Sequence, residues 1–481
     1  MVRQLRPWQK ITWGKPRPLA TLRPSPLASL GNAVAGFWRT ITKATLPSAL
    51  GSLGSALDAY GSPTVPGVSA LEEAQIFLSA GAEVEHALLV EYLYAAWSLG
   101  TSPFADTVST IAIQEMCHLI TVQNLLMFVG SQPSFSRQDQ DEAPCLDPFP
   151  FSLRPLAKAV LEDFLLTEMP PLESMIAGDR VTMEPILRSH SSQGNTVHPV
   201  GLIYAKLYWL FQEDDTPTKD WPEVARSGFE PGRHIGTFPG AASGATFQAD
   251  PQEGTTWHFG STAQGVFETI DSRQAALRAI FEIAAQGEGP VSAPTTQPTE
   301  PSHFRRFMDI YQDPTFAGLS PSNWPINPYV ANQGAPSGTQ VTHPLAAALC
   351  RVFDRRYQIL LASLRASLSH DRTSAQDIII RTKYASWAFE EMLGSLKALL
   401  GSISRLPCQQ GGSVAQRAAA PTFNLDGLAL PNNAADLDKV LLQLHQSAAA
   451  DINTALAARP DASTAFTLKG MQQTDRGRFP N

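Results

Sequence analysis

Glu115-Met116-Cys117-His118 is the stretch on which the reading of this chain turns. Here a carboxylate and an imidazole stand three residues apart inside an apolar helical run, so both side chains lie on one helix face and can reach a single metal ion. The preceding apolar segment repeats the theme. Leu71 to Leu99 reads as one long helix with Leu78, Ala82, Glu85, Leu89, Tyr92 and Ala96 on a single stripe, and Glu85 occupies a place where an apolar residue is expected. Gly100-Thr101-Ser102-Pro103 supplies a turn. A second helix, from about Thr107 to Val129, carries Val108, Ile111, Glu115, Leu119, Val122 and Leu126 on one face. So short a connection implies an antiparallel pair with Glu85 and Glu115 near mid-height, the arrangement of a carboxylate-bridged metal site in a four-helix bundle. The plainer alternative is that Glu115 makes a structural hydrogen bond and His118 packs as a satisfied core histidine.

Working outward, the chain turns polar and proline-rich from Gly130 to Pro150, then enters a helix at Leu156–Glu168 that stops at Met169-Pro170-Pro171. Val200–Phe211 and Asp271–Gln286 supply the third and fourth bundle helices. Residues 214–266 between them are rich in Gly, Pro, Trp and Phe and lack a helical period, as expected of a long covering loop. Trp209, Trp221, Trp257 and Phe247 read as packing anchors, with an aromatic substrate wall as the alternative. Helical patterns resume at His343–His370, Ala375–Leu400 and Ala434–Ala458. The expected organisation is a basic N-terminal arm over residues 1–65, a metal-binding bundle over 66–312, a linker loop over 313–342 and a C-terminal helical region over 343–481.

Composition limits the classes of function. The net charge of −8 hides an asymmetry: residues 1–57 hold Arg3, Arg6, Lys10, Lys15, Arg17, Arg23, Arg39 and Lys43 with no Asp or Glu, so the remainder carries −16. An acidic body without a recognition motif argues against nucleic-acid binding. Prolines at 7, 16, 18, 24 and 26 oppose the amphipathic helix of an organelle-targeting segment, which favours a flexible or packing arm. No window reaches the 18 or so continuous apolar residues of a membrane span, and the expectation is a cytoplasmic protein without stable membrane insertion. Cys117, Cys145, Cys350 and Cys408 show no CxxC spacing and are too few for a disulfide framework.

Several motifs occurring in order carry a resemblance. Glu83-Val84-Glu85-His86-Ala87-Leu88-Leu89, Tyr92-Leu93-Tyr94-Ala95, Gln114-Glu115-Met116-Cys117-His118-Leu119, Asn124-Leu125-Leu126, Gln286-Gly287-Glu288-Gly289 and Ser302-His303-Phe304-Arg305-Arg306-Phe307 resemble the ferritin-like domain of the iminophenyl-pyruvate dimer synthases. That family includes enzymes of the violacein and rebeccamycin pathways that couple two indole-pyruvate imine units. The resemblance runs from about residue 70 to 312, and it implies a mainly α, ferritin-like four-helix bundle with long inserted loops and a C-terminal helical extension. It implies Glu85, Glu115 and His118 as metal ligands, joined by Glu288 and His303, with one or two iron ions, or manganese, as the cofactor. The residue after Gly201, usually acidic in the family, is Leu202 here. This leaves three alternatives: a single metal, an asymmetric pair using Glu288 or His303, or a decayed site. The expected function is a metal-dependent oxidative enzyme of secondary metabolism acting on a small amino-acid-derived imine or aromatic intermediate. The rivals are a non-catalytic metal-binding protein and a scaffold with a vestigial site.

Overall fold

The computed structural model describes residues 6–16, 53–137, 144–146, 148–216, 230–240, 256–258, 264–266, 270–287, 301–319, 322–330, 340–370 and 374–479. The architecture is mainly α. Two antiparallel helices, α2 (Ala70–Ser98) and α3 (Ala105–Phe128), follow a short α1 (Leu53–Tyr60) and form the spine of the molecule. The start of α2 is fixed by a capping box: the Ser69 hydroxyl accepts from Glu72 N at 3.2 Å, and Ser69 N donates back to the Glu72 carboxylate at 2.9 Å. Beyond α4 (Lys158–Thr167) and α5 (Ala177–Ser192) come α6 (Gly201–Phe211) and α7 (Arg273–Gly287). These last two pack on each other, α6 against α2 and α7 against α3, completing the four-helix bundle. All eleven residues of α6 are buried, which explains why its sequence is apolar on every side except at Lys206, which pairs with the buried Glu73 at 3.4 Å.

A shorter helix, α8 (His303–Gln312), packs beside α4 and runs into α9 (Pro314–Ala317). The C-terminal layer is α10 (Pro344–Ser369), α11 (Ala375–Glu390), α12 (Lys397–Ile403), α13 (Ala434–Ala457) and α14 (Ala462–Arg478), and a π-helical turn at Glu391–Leu396 joins α11 to α12. One apolar core runs without a break from the bundle into α10, where Trp97 of α2 meets Phe353 and Phe423 and the buried His86 bonds to the Tyr357 hydroxyl. Among the described residues, strands are confined to an antiparallel ladder of β1 (Thr256–His258) with β2 (Gln264–Val266) and a parallel one of β3 (Tyr329–Val330) with β4 (Gln340–Val341).

The helices expected from periodicity are present. Four others, α1, α5, α9 and α14, were not anticipated, α9 lying in the stretch expected as a linker loop. In α5 the polar composition and the internal Pro185 erase the apolar stripe, leaving only Asp179, Met183, Ile186 and Leu187 buried. Residues 6–16 lie against the bundle: Trp8 is buried and its indole N–H donates to Glu83 Oε2 at 2.8 Å, with Arg6 pairing the same oxygen at 2.9 Å. One described helix, α3, is long and apolar enough to cross a membrane by length and composition, with a mean hydropathy of 1.2, but 89% of that window is buried inside the protein. All four cysteines are buried free thiols.

Candidate metal centre

The candidate centre is built by four segments. Glu85 projects from α2, Glu115 and His118 from successive turns of α3, Glu168 from the residue that ends α4, and His303 from the first turn of α8. The backbone explains two of these positions. Met169-Pro170-Pro171 cannot continue the helix, so α4 stops with Glu168 at its end. Ser302 caps α8 through Arg305 N at 3.2 Å, which leaves the next residue, His303, in the interior.

These five side chains form two groups of three that share a member. The ligand atoms of Glu85, Glu115 and His118 all lie within 4.8 Å of one another, as do those of Glu115, Glu168 and His303. Glu115 belongs to both and turns one oxygen to each: Oε2 is 3.0 Å from His118 Nδ1, and Oε1 is 2.8 Å from His303 Nδ1. His118 Nδ1 is also 3.5 Å from Glu85 Oε2, and His303 Nδ1 is 3.8 Å from Glu168 Oε1. A carboxylate between two imidazole-and-carboxylate groups is the geometry of a bridging ligand.

The surroundings orient each ligand. His118 donates from Nε2 to Gln286 Oε1 at 2.8 Å, and His303 donates from Nε2 to Gln114 Oε1 at 3.1 Å, which leaves both Nδ1 atoms facing the carboxylates. Arg306 also donates to Gln114 Oε1, at 3.1 Å, which holds that amide with its oxygen toward the imidazole. The Tyr204 hydroxyl donates to Glu85, and Tyr92 donates to Glu168 Oε1 at 2.6 Å.

Electrostatics point to a cation. All five side chains are at least 95% buried. Burial, and then the charge of Glu115, push Glu85 up to about 8. Burial and Glu115 likewise raise Glu168. Burial acts the same way on Glu115, but His303 and His118 outweigh it and hold that carboxyl well below its usual range. Both histidines are correspondingly raised, their carboxylate partners overcoming the effect of burial. Three carboxylates with two imidazoles form an oxygen-rich set that suits iron or manganese, and with all three acids ionised and both imidazoles neutral it would be anionic, so that its burial would call for countercharge. Glu85 Oε2, Glu115 Oε1 and His303 Nδ1 take part in no protein hydrogen bond, although the last two lie 2.8 Å apart. Buried lone pairs that converge without hydrogen bonds fit a metal better than they fit a hydrogen-bonded core. The cavity they enclose is about 10 Å³, lined also by Val200, Gly201, Ile283 and Ala284.

Of the residues expected from sequence, the structure brings Glu85, Glu115, His118 and His303 together, whereas Glu288 lies outside the described residues. Glu168 was not anticipated as a ligand. Its signal was present: an acid following Leu161 and Leu165 at helical spacing, just before the helix stop. Leu202 packs in the apolar core, and the α6 side chain that reaches the site is Tyr204. No carboxylate reaches the cluster from α6, and the third acid there is Glu168 at the end of α4.

The fold and this cluster define a class. Residues 78–312 match the family model described as Ferritin-like, and this part of the chain is a ferritin-like domain. Over 393 residues the chain is 25% identical to dichlorochromopyrrolate synthase of Lentzea aerocolonigenes, an alignment that covers 72% of this chain and 35% of that protein. The chain therefore spans about a third of the length of that relative. A solved ferritin-like protein from Caulobacter vibrioides superposes with a TM-score of 0.35 at 16% identity, covering 67% of this chain and 94% of the other.

Proposed function

We propose that this protein is a metal-dependent oxidative enzyme, using a carboxylate-bridged pair of iron ions, with manganese as the alternative, to act on an amino-acid-derived imine or aromatic intermediate of secondary metabolism. The observation that carries the metal centre is Glu115, one carboxylate whose two oxygens face two separate His-and-Glu groups. The substrate class rests on the motifs of the iminophenyl-pyruvate dimer synthases and on the similarity to dichlorochromopyrrolate synthase.

Glu85, Glu115 and His118 would hold one ion, and Glu115, Glu168 and His303 the other. Iron in such a site supplies one-electron chemistry and affinity for dioxygen. The remaining work falls to the protein. Gln286 and Gln114 keep each imidazole in the tautomer that presents Nδ1, and Tyr204 and Tyr92 hold Glu85 and Glu168 in place by donating hydrogen bonds to them. Val200, Ile283 and Ala284 keep bulk water from the centre, which would lengthen the life of a hydrolysable imine.

One observation favours a second reading. Among the described residues the metal cavity offers about 10 Å³, room for a water-sized molecule and not for an aromatic ring. A non-catalytic metal-binding protein needs no more. Elemental analysis of protein purified without added metal, followed by oxygen uptake after anaerobic Fe(II) loading in the presence of an aromatic 2-imino acid, separates the two. The expected result is two irons per chain and oxygen uptake continuing beyond oxidation of the bound iron. Tightly held metal without sustained uptake would support the second reading, and protein that takes up no stoichiometric metal would refute both.

A further inference from the structure

A larger cavity, of about 290 Å³, opens between α2, α4 and residues 145–154. It is separate from the metal centre. With about 100° per residue, the α2 positions that line it, Val84, Ala87, Leu88 and Glu91, are turned roughly a third of a circle from Glu85. Phe164 is the partition: its ring meets the edge of Tyr92 at 4.6 Å, while it also lines the cavity.

The walls are apolar, formed by Leu88, Phe149, Phe151 and Phe164. Against them stand polar side chains, among them Arg154, whose Nε makes no hydrogen bond among the described residues, His190, whose Nδ1 makes none, and Glu91. Glu91 is 8% exposed, and its Oε1 accepts from Ser152 N at 2.7 Å. Its other oxygen accepts no hydrogen bond from the described residues. The other acidic and basic side chains lining the cavity each have an oppositely charged neighbour, His190 beside Asp163 at 3.4 Å included. Arg154 is bound to Asp163 at 2.6 Å, and Glu83 accepts from Arg6, Trp8 and Ser136. Burial pushes the Glu91 carboxyl up to about 7, with Arg154 only partly opposing it. A carboxylate with one oxygen open to a donor, in a slot walled by three rings, suits a ligand that is flat, apolar and carries an N–H.

We propose that this cavity is a binding site for a small aromatic molecule bearing an amine or ring N–H, which packs on Phe149, Phe151 and Phe164 and donates to Glu91. At 290 Å³ it takes one or two rings and stands at the lower end of small-molecule pockets. An aromatic anion is disfavoured, because the lining carries the three carboxylates of Glu83, Glu91 and Asp163 against the guanidinium of Arg154 and the imidazole of His190.

Calorimetric titration of the full chain at pH 8, where Glu91 is ionised, tests this with 1-naphthylmethylamine as the probe and 1-naphthylacetate as its anionic counterpart. The amine should bind saturably at one per chain, and the acetate at least about tenfold more weakly. Glu91→Gln should weaken the amine by about tenfold or more, and Ala87→Phe, which fills the cavity, should abolish binding. Neither variant should change metal content, so the result is independent of the metal reading. Absence of saturable amine binding at millimolar concentration, equal affinity for the two probes, or undiminished binding to Glu91→Gln would each overturn the proposal. Should Glu91→Gln fail to fold, the probe comparison on unaltered protein and the Ala87→Phe variant still decide it.

Discussion

Deleting the shared ligand should cost both ions, whereas deleting an outer one should cost a single ion. Glu115→Ala removes the oxygen 3.0 Å from His118 and the oxygen 2.8 Å from His303 together, leaving each group two donors. Glu85→Ala leaves the Glu115, Glu168 and His303 group whole, and Glu168→Ala leaves the Glu85, Glu115 and His118 group whole. Each ion at about a hundredfold excess over its dissociation constant stabilises the folded state by about 2.7 kcal/mol. Loading should therefore raise the unfolding free energy of unaltered protein by about 5 kcal/mol, that of Glu85→Ala or Glu168→Ala by about half as much, and that of Glu115→Ala by close to nothing. Urea denaturation of each protein with and without Mn(II), paired with metal analysis after desalting, gives both numbers, and each variant serves as its own metal-free reference. A Glu115→Ala protein that keeps one ion with most of its stabilisation would refute the bridging assignment. So would a Glu168→Ala protein that still holds two.

Two further outcomes follow from close contacts. A Cβ at Gly287 would come to 3.0 Å from Glu168 Oε2, so Gly287→Ala should displace that carboxylate by a few tenths of an ångström, enough to weaken the second ion measurably in a competition titration. The substituted helix end should be no less stable to urea, because alanine favours helix over glycine by up to about 1 kcal/mol. His86 is buried, and burial followed by the charge of Arg137 drags it down to about 3, so it stays neutral in the folded chain while the unfolded chain protonates it below about pH 6.5. Its contribution is fully present above that pH and is lost as pH falls toward 3, at about 1.4 kcal/mol per pH unit. Urea midpoints from pH 6 to 4 should thus fall less steeply in His86→Gln than in unaltered protein, and parallel slopes would refute this account.

The bundle was legible because α2, α3 and α7 carry apolar stripes interrupted by single acids or closed by clear stops. Glu85 and Glu115 stood out as acids at apolar positions, and a spacing of three gave His118 a partner on the same helix turn. Glu168 has no partner nearby in sequence. Its role depends on α4 docking beside α8, a juxtaposition that no local period encodes. Leu202 showed that α6 offers no acid at that position, but nothing local showed that the end of α4 would bring one into the cluster. Helix α5 escaped notice because its buried face is only four residues wide. The N-terminal contacts of Trp8 and Arg6 with Glu83 join positions more than seventy residues apart.

The candidate ligands divide unequally along the chain, and on the proposed reading that division orders the assembly of the centre during synthesis. Glu85, Glu115 and His118 belong to one helical hairpin, and this first ion position is covalently complete once residue 118 has been made. The second must wait until residue 303 has emerged and α8 has docked on α4. A ribosome-bound chain ending between the two thus presents a half-built centre, three donors on a single hairpin with Glu115 still facing an empty side. Capture of the first ion at that stage would preset the bridging carboxylate before its second partner arrives.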